Sequence, residues 1–103
     1  AKARLQWVVD NSADGKIKPV ALSRLAQIQL AQGDVDAAAA AIAAIDPAFA
    51  DEFLEIRGDV LLAQGETAAA RALYSAALND AQKRGSSGES LQMKIDNLAL
   101  ANR

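Results

Sequence analysis

Apolar residues recur every three or four positions along most of the chain, a spacing that brings them onto one face of an α-helix. Short stretches rich in Gly, Pro, Ser and Asp interrupt this spacing and separate the apolar segments from one another. The pattern predicts an all-α protein of about six helices, joined by short loops so that neighbouring helices run antiparallel. The residues expected to face the core are Leu5, Val8, Val9, Leu22, Leu25, Ala26, Leu30, Ala38, Ile42, Ile45, Leu91, Ile95 and Leu98.

Helix-breaking and helix-capping residues set the limits of the predicted helices. Pro19 suits a first helical turn, and Gly33 suits the left-handed residue that follows a helix end. Ser86 and Glu89 have the spacing of a capping box before the last apolar segment. The predicted helices cover residues 1–11, 19–32, 35–45, 47–64, 67–84 and a last segment from 86 to nearly 103.

The tetrapeptide LAQG occurs twice, at residues 30–33 and 62–65, and it belongs to a longer repeat. The two copies lie 32 residues apart, and this offset aligns other apolar and small residues as well as the tetrapeptide. A repeat of this length indicates one structural unit used twice, and therefore a binding surface instead of a catalytic pocket. The aligned pairs are Leu22 with Leu54, Ala26 with Gly58, Ile28 with Val60, and Ala38 with Ala70.

The second unit has the spacing of a tetratricopeptide repeat, a helix pair with small residues where the helices cross and an aromatic residue in the second helix. In the first unit Ala26 stands in place of the crossing Gly58, and Ile42 stands in place of the aromatic Tyr74. We therefore expect stacked helix pairs that form a curved surface with a concave face. The residues of the second unit that match the pattern are Gly58, Leu61, Gly65, Ala70, Tyr74, Ala77 and Leu78.

The repeat predicts one domain in four parts. Because the sequence begins at Ala1 without Met and inside a predicted helix, we expect it to be an excised fragment of a longer protein. The predicted parts are the last helix of a preceding repeat at 1–12, repeats at 19–46 and 48–84, and a C-terminal capping helix at 86–102.

Three segments carry a resemblance to a known family. They are "ALSRLAQIQLAQGDVDAAAAAI", "EFLEIRGDVLLAQGETAAARALYSAAL" and "LQMKIDNLA". Together they resemble the C-terminal part of the YfgM-like family, the ancillary subunits of the bacterial SecYEG translocon. The resemblance implies a tetratricopeptide-like domain on the periplasmic side of the inner membrane, held there by an N-terminal helix that is absent from this chain. It also implies translocon subunits and periplasmic chaperones as protein partners.

Composition and charge remove several other classes of function. The formal charge of −2 comes from interspersed acidic and basic residues, so we expect no nucleic-acid partner. The chain has no Cys and no His, which excludes zinc sites, thiol chemistry and a histidine general base. We expect no metal, no cofactor and no enzymatic activity. No apolar stretch is long enough for a membrane span, and no signal segment opens the chain.

The first helix of each repeat supplies the candidate binding surface, because that helix lines the concave face. In the second repeat three acidic residues share a helix face, and in the first repeat the equivalent residues are polar or apolar. Such a groove suits an extended or helical peptide with Lys or Arg near an apolar side chain. The alternative is that the acidic row is only a solvated helix face. The candidate residues are Glu52, Glu55, Asp59 and Leu62, with Val20, Ser23, Gln27 and Leu30.

Trp7 points away from the predicted core face of the first helix. Either it packs on a preceding helix that is absent from this chain, or it is an exposed anchor for a partner. In either case we expect truncation to leave an apolar patch here, through which two copies of the fragment form a homodimer. The last helix is expected to solvate the end of the repeat array through outward Glu89, Lys94, Asp96 and Arg103.

The sequence therefore predicts a protein-interaction module, by resemblance the periplasmic domain of an accessory translocon subunit. Two alternatives remain open, a cytoplasmic tetratricopeptide scaffold and a self-associating structural unit. Neither a calcium site nor a catalytic pair of carboxylates fits the acidic row. Calcium takes more oxygens, usually from a loop, and catalytic carboxylates need a desolvated cleft.

Overall fold

A computed structural model describes residues 2–11 and 17–101, and the elements in those ranges are all helical. The predicted all-α class with about six helices is confirmed. Of the predicted break between residues 11 and 19, residues 12–16 lie outside the described residues, as does the predicted outward Arg103. Ile17 and Lys18 belong to α2, so that helix begins two residues earlier than predicted. The helices are α1 (Lys2–Asn11), α2 (Ile17–Ala31), α3 (Val35–Ala43), a 3-10 helix (Pro47–Glu52), α4 (Leu54–Ala63), α5 (Thr67–Lys83) and α6 (Glu89–Ala101).

The helices pack mainly on their neighbours in the sequence: α1 on α2, α2 on α3, α4 on α5, and α5 on α6. In addition, α2 and α3 both contact α4. The pair formed by α2 and α3 is therefore stacked on the pair formed by α4 and α5, and the first helices of the two pairs lie side by side. This stacking is the arrangement that the repeat predicts.

The two copies of LAQG form the same helix end. Gly33 and Gly65 have φ of 80° and 84°, the left-handed region that glycine adopts without steric cost. The N–H groups of Asp34 and Glu66 each donate to a carbonyl of the preceding helix at 2.8 Å, which satisfies groups that the helix end leaves without partners. The Asp34 side chain then accepts the N–H of Ala37 and caps α3. The repeated motif is thus a repeated corner between two helices.

Gly58 lies where α4 crosses α5. A β-carbon at this position would be 2.6 Å from Cε1 of Tyr74, a separation that real contacts essentially never show. Tyr74 is completely buried, so its ring fills the space that the missing side chain leaves. In the first repeat Ala26 is also completely buried, opposite a helix that carries Ile42 in place of an aromatic ring.

Buried apolar side chains form two clusters. The first joins α2 and α3 to Ile56 and Val60 of α4, and Leu5 and Val9 of α1 pack against it. The second joins Ala70 and Tyr74 of α5 to α6. The remaining buried members are Leu22, Leu25, Ala26, Ala38, Ala41 and Ile45 in the first cluster, and Leu91 and Leu98 in the second.

The predicted fourth helix is divided in two. Pro47–Glu52 is a 3-10 helix, started by the Asp46 side chain, which accepts the N–H of Ala48 at 2.9 Å. Phe53 then leaves helical geometry, with φ of −123° and ψ of 37°, before α4 begins. Phe49 and Phe53 both pack against the first cluster. Apolar spacing alone cannot reveal such a break, because both side chains remain on the core side of it.

The predicted capping box at Ser86 is wrong. The N–H of Ser86 donates to the carbonyl of Ala81 at 2.9 Å, so Ser86 belongs to the end of α5. Its hydroxyl accepts the N–H of Gly88 at 3.3 Å, within the loop. The carbonyl of Gly88 accepts the first helical bond of α6, from Gln92 at 2.9 Å. Ser86 therefore belongs to the end of α5 and lies too far before α6 to cap that helix.

Candidate protein-binding groove

A groove of about 370 Å³ lies between α2 and α4. The first helices of the two repeats form its sides, and α6 contributes one lysine. The structure brings five of the predicted site residues together here, two from the first repeat and three from the second. The lining residues are Ser23, Gln27, Glu52, Phe53, Glu55, Ile56, Asp59 and Lys94.

The other three predicted residues do not line this groove. Val20 and Leu62 are exposed on the surface, at 45% and 39%. Leu30 is half-buried and packs against the first core cluster. Within the groove Ser23 is buried, while Gln27 and Glu52 are exposed. The accessible chemistry of the groove is therefore the amide of Gln27, the carboxylate of Glu52 and the half-buried ring of Phe53. The paired charges of Glu55, Asp59 and Lys94 are also partly exposed there.

Lys94 determines the electrostatics of the groove. Its Nζ lies 2.7 Å from Oε2 of Glu55 and 3.0 Å from Oδ1 of Asp59, and 5.5 Å from the centre of the Tyr74 ring. The prediction that Lys94 points outward into solvent is wrong. Sequence periodicity places it off the core face of α6, but carboxylates that precede it by more than thirty residues hold it over the second repeat.

Asp59 also accepts a hydrogen bond of 2.5 Å from the Tyr74 hydroxyl. Burial, this bond and the charges of Asp59 and Glu55 hold the pKa of Tyr74 far above its usual value. For Lys94, burial of the ammonium group disfavours the charged form, but hydrogen bonds to Glu55 and Asp59 outweigh burial and raise the pKa. Both groups therefore keep their protons in the folded state, and the network links α4, α5 and α6.

This network changes the role of the acidic row. Glu55 and Asp59 are already paired with Lys94, in a partly exposed network, and Glu52 is the member of the row without an ion-pair partner among the described residues. A partner with a basic side chain would meet Glu52 without having to displace Lys94.

Two further depressions adjoin the groove. One, of about 480 Å³, lies between α1 and α2 and shares Gln27 with the groove. Its lining includes Arg4 and Arg24, neither of which was predicted as a site residue. The sequence pattern that could have indicated Arg24 is its position within one helical turn of Gln27. The other, of about 550 Å³, shares Glu52 and Glu55 with the groove and extends to the loop before α6.

Trp7 lies on α1 outside these three depressions and is 65% exposed. Leu5 and Val9 of the same helix pack against the first core cluster. The roles expected of Trp7, as an anchor or as a contact between two copies, stay predictions.

The described residues contain neither a membrane-spanning helix nor a group of acidic side chains suited to a metal ion. None of the helices in 2–11 and 17–101 is long and apolar enough to cross a membrane. In the same ranges, no acidic side chains are grouped in a way that could hold a metal ion.

Comparison with known proteins agrees with the stacked helix pairs. A family profile described as "Tetratricopeptide repeat-like domain" matches residues 1–100. The chain is also 36% identical over 99 residues to a protein of Neisseria gonorrhoeae named "Ancillary SecYEG translocon subunit". That alignment covers 95% of this chain and 47% of the relative, so the chain spans about half the length of the relative. No solved structure matches the chain. The family match over nearly the whole sequence, with the helix stacking and the Gly58–Tyr74 crossing, shows that the chain belongs to the tetratricopeptide repeat-like domain family.

Proposed function

We propose that this chain is a protein-interaction module and that the groove between α2 and α4 binds a segment of a partner protein. The observation that carries the proposal is the convergence of side chains from two successive repeats on one groove: Ser23 and Gln27 from α2 face Glu52, Glu55 and Asp59. A groove between the first helices of two successive repeats suits an extended or helical segment, which can run along it and contact both repeats.

The identity of the partner is proposed from the relative. Because the chain is similar to a protein named as an ancillary subunit of the SecYEG translocon, we propose translocon subunits as partners. The resemblance of its sequence segments to the YfgM-like family adds periplasmic chaperones to this proposal. The domain would then act on the periplasmic side of the inner membrane. Any membrane anchor would lie outside the described helices, none of which is able to cross a bilayer.

Self-association through α1 is a second candidate function, favoured by the exposure of Trp7, at 65%. Aromatic residues at interface centres contribute much of the binding energy of protein complexes. The two candidates use different surfaces, because Trp7 does not line the groove. One crosslinking experiment therefore separates them.

The test uses the full gene product with a photoreactive amino acid at Gln27, at Trp7 or at Ser75. Membranes of its own host that contain this protein are irradiated, and the crosslinked proteins are identified. Gln27 lies in the groove, and Ser75 is an exposed control on α5 outside the groove lining. We expect capture of translocon subunits or periplasmic chaperones from Gln27 and not from Ser75. Capture of a second copy from Trp7, with nothing captured from Gln27, would replace the groove proposal by self-association.

Variants that weaken binding must leave α6 in place. Charge reversal at Glu55 or Asp59 would remove the partners of Lys94 as well as the acidic surface, so loss of binding would be ambiguous. Glu52→Lys avoids this problem because Glu52 is exposed and has no ion pair with a described residue. We expect Glu52→Lys to weaken capture from Gln27 without changing the thermal stability of the domain.

A further inference from the structure

We propose that the partner segment is segregated in charge, with acidic side chains at its end over α1 and α2 and basic side chains at its end over α4 and α6. This inference rests on the proposed function of the groove and adds the chemistry and direction of its ligand. It follows from the charges along one continuous surface.

The three depressions form that continuous surface. Gln27 lines both the depression between α1 and α2 and the central groove. Glu52 and Glu55 line both the central groove and the depression beside the α5–α6 loop. A segment that lies along α2 and then α4 would therefore meet all three regions in order.

The α1–α2 end of this surface is basic. Arg4 and Arg24 line it together with the apolar side chains of Leu5 and Ile28, and none of the described acidic residues lines it. Both arginines are exposed, and neither has an ion pair with a described residue. The guanidinium groups are thus available to bind carboxylates, while the apolar side chains between them can contact an apolar residue of the partner.

The opposite end is acidic even after internal pairing. Lys94 is bound to Glu55 and Asp59, and Arg84 is paired with Asp80. Glu52 and Glu89 also line this end, and neither has an ion pair with a described residue. The carboxylates outnumber the cations in the lining of these two depressions, so a basic segment is favoured there and an acidic one is disfavoured.

This arrangement selects one class of occupant. A polyanion such as a nucleic acid would be attracted by Arg4 and Arg24 and repelled by the acidic end, and a uniformly basic peptide would meet the reverse pattern. A peptide with one acidic end and one basic end satisfies both. Complementary charges at separated positions also fix the register of the bound segment.

The test uses two labelled peptides of identical composition with blocked ends: Glu-Glu-Ala-Leu-Ala-Lys-Lys, in which the charges are segregated, and Glu-Lys-Ala-Leu-Ala-Glu-Lys, in which they are mixed. Fluorescence anisotropy measures the Kd of each for the 103-residue chain at low and at high salt. We expect the segregated peptide to bind about threefold to tenfold more tightly at low salt, and the difference to shrink at high salt.

Two double variants locate the effect. Arg4→Gln with Arg24→Gln, and separately Glu52→Gln with Glu89→Gln, should each remove most of the preference for the segregated peptide. The matched control for the arginine pair is Arg71→Gln with Lys83→Gln, which also removes two positive charges, from exposed positions of α5 outside the three depressions. The control should keep the preference.

The outcomes separate this inference from the groove function. Equal affinity for the two peptides, or loss of the preference in the control variant, overturns the charge-segregated ligand. If partners are still captured from Gln27 in that case, the groove function stands alone. Absence of peptide binding together with absence of capture from Gln27 overturns both.

Discussion

Gly58→Ala is expected to destabilise the domain although alanine is the better helix former. Gly58 lies inside α4, where replacement of glycine by alanine ordinarily stabilises a protein by about 1 kcal/mol. At this site the new β-carbon would be 2.6 Å from Cε1 and 2.9 Å from Cδ1 of Tyr74. The ring cannot turn away easily, because it is completely buried and its hydroxyl is bound to Asp59.

The expected magnitude follows from the difference of these two effects. Adding a methyl group to a packed core costs about 1–3 kcal/mol, and the rigid surroundings of Tyr74 favour the upper end. After subtraction of the gain in helix propensity, we expect a net loss of about 2 kcal/mol in the free energy of unfolding. For a domain of this size that loss lowers Tm by about 10 °C.

The assay is thermal and urea denaturation of Gly58→Ala. A second variant carries the reverse substitution, Ala26→Gly, at the equivalent position of the first repeat. Ala26→Gly should also destabilise, by about 1 kcal/mol, because it loses helix propensity and relieves no contact. In a Tyr74→Ile background, which reproduces the Ala26–Ile42 combination of the first repeat, Gly58→Ala should become neutral or stabilising. A Tm of Gly58→Ala at or above that of the original protein would refute the argument, since the ring would then move at no cost.

Two further predictions concern the helix ends and the partly buried network of Tyr74, Asp59, Lys94 and Glu55. Gly33→Ala and Gly65→Ala should each lower the free energy of unfolding by about 1 kcal/mol, because alanine disfavours a φ near +80°. Equal losses of stability in urea titrations would support the equivalence of the two corners. An unchanged urea midpoint for either variant would contradict it. The free energy of unfolding should be level between about pH 7 and pH 9 and fall above about pH 10. The cause is that the pKa values of Tyr74 and Lys94 are raised in the folded state, which therefore holds protons that the unfolded state releases. Lys94→Met should retain only the part of the alkaline loss that is due to Tyr74, and equal stability of the original protein at about pH 8 and pH 11 would refute the assignment.

Apolar spacing and the internal repeat predict most of this fold because both follow from local geometry. The period of three to four residues locates the helices, and the repeated Gly33 and Gly65 locate their corners. The offset between repeats also aligns Ala26 with Gly58, and both are buried. These features depend on residues close together in the chain, where propensity and steric limits act directly.

The features that the sequence did not predict depend on distant residues or on competition between local signals. Lys94 is held by Glu55 and Asp59, a choice of partner that helical periodicity in α6 cannot reveal. Ser86 looks like a helix start, but its N–H is already used to end α5. The basic end of the groove is formed by Arg4 and Arg24, which are adjacent only because α1 packs on α2.

The division of the core into two clusters affects how the domain unfolds. The first cluster unites α1, α2 and α3 with one face of α4, whereas the second holds α5 and α6, with Leu61 of α4 packed against it. Tyr74 packs on Gly58 and its hydroxyl is bound to Asp59, so α4 should stay with α5 and α6. These three helices should separate as one unit from α1, α2 and α3, where Ile56 and Val60 leave the first cluster, so the chain should open in two steps of different cost. Amide hydrogen exchange would then show two levels of protection, and proteases would first cut in the segment between α3 and α4, which contains the 3-10 helix Pro47–Glu52.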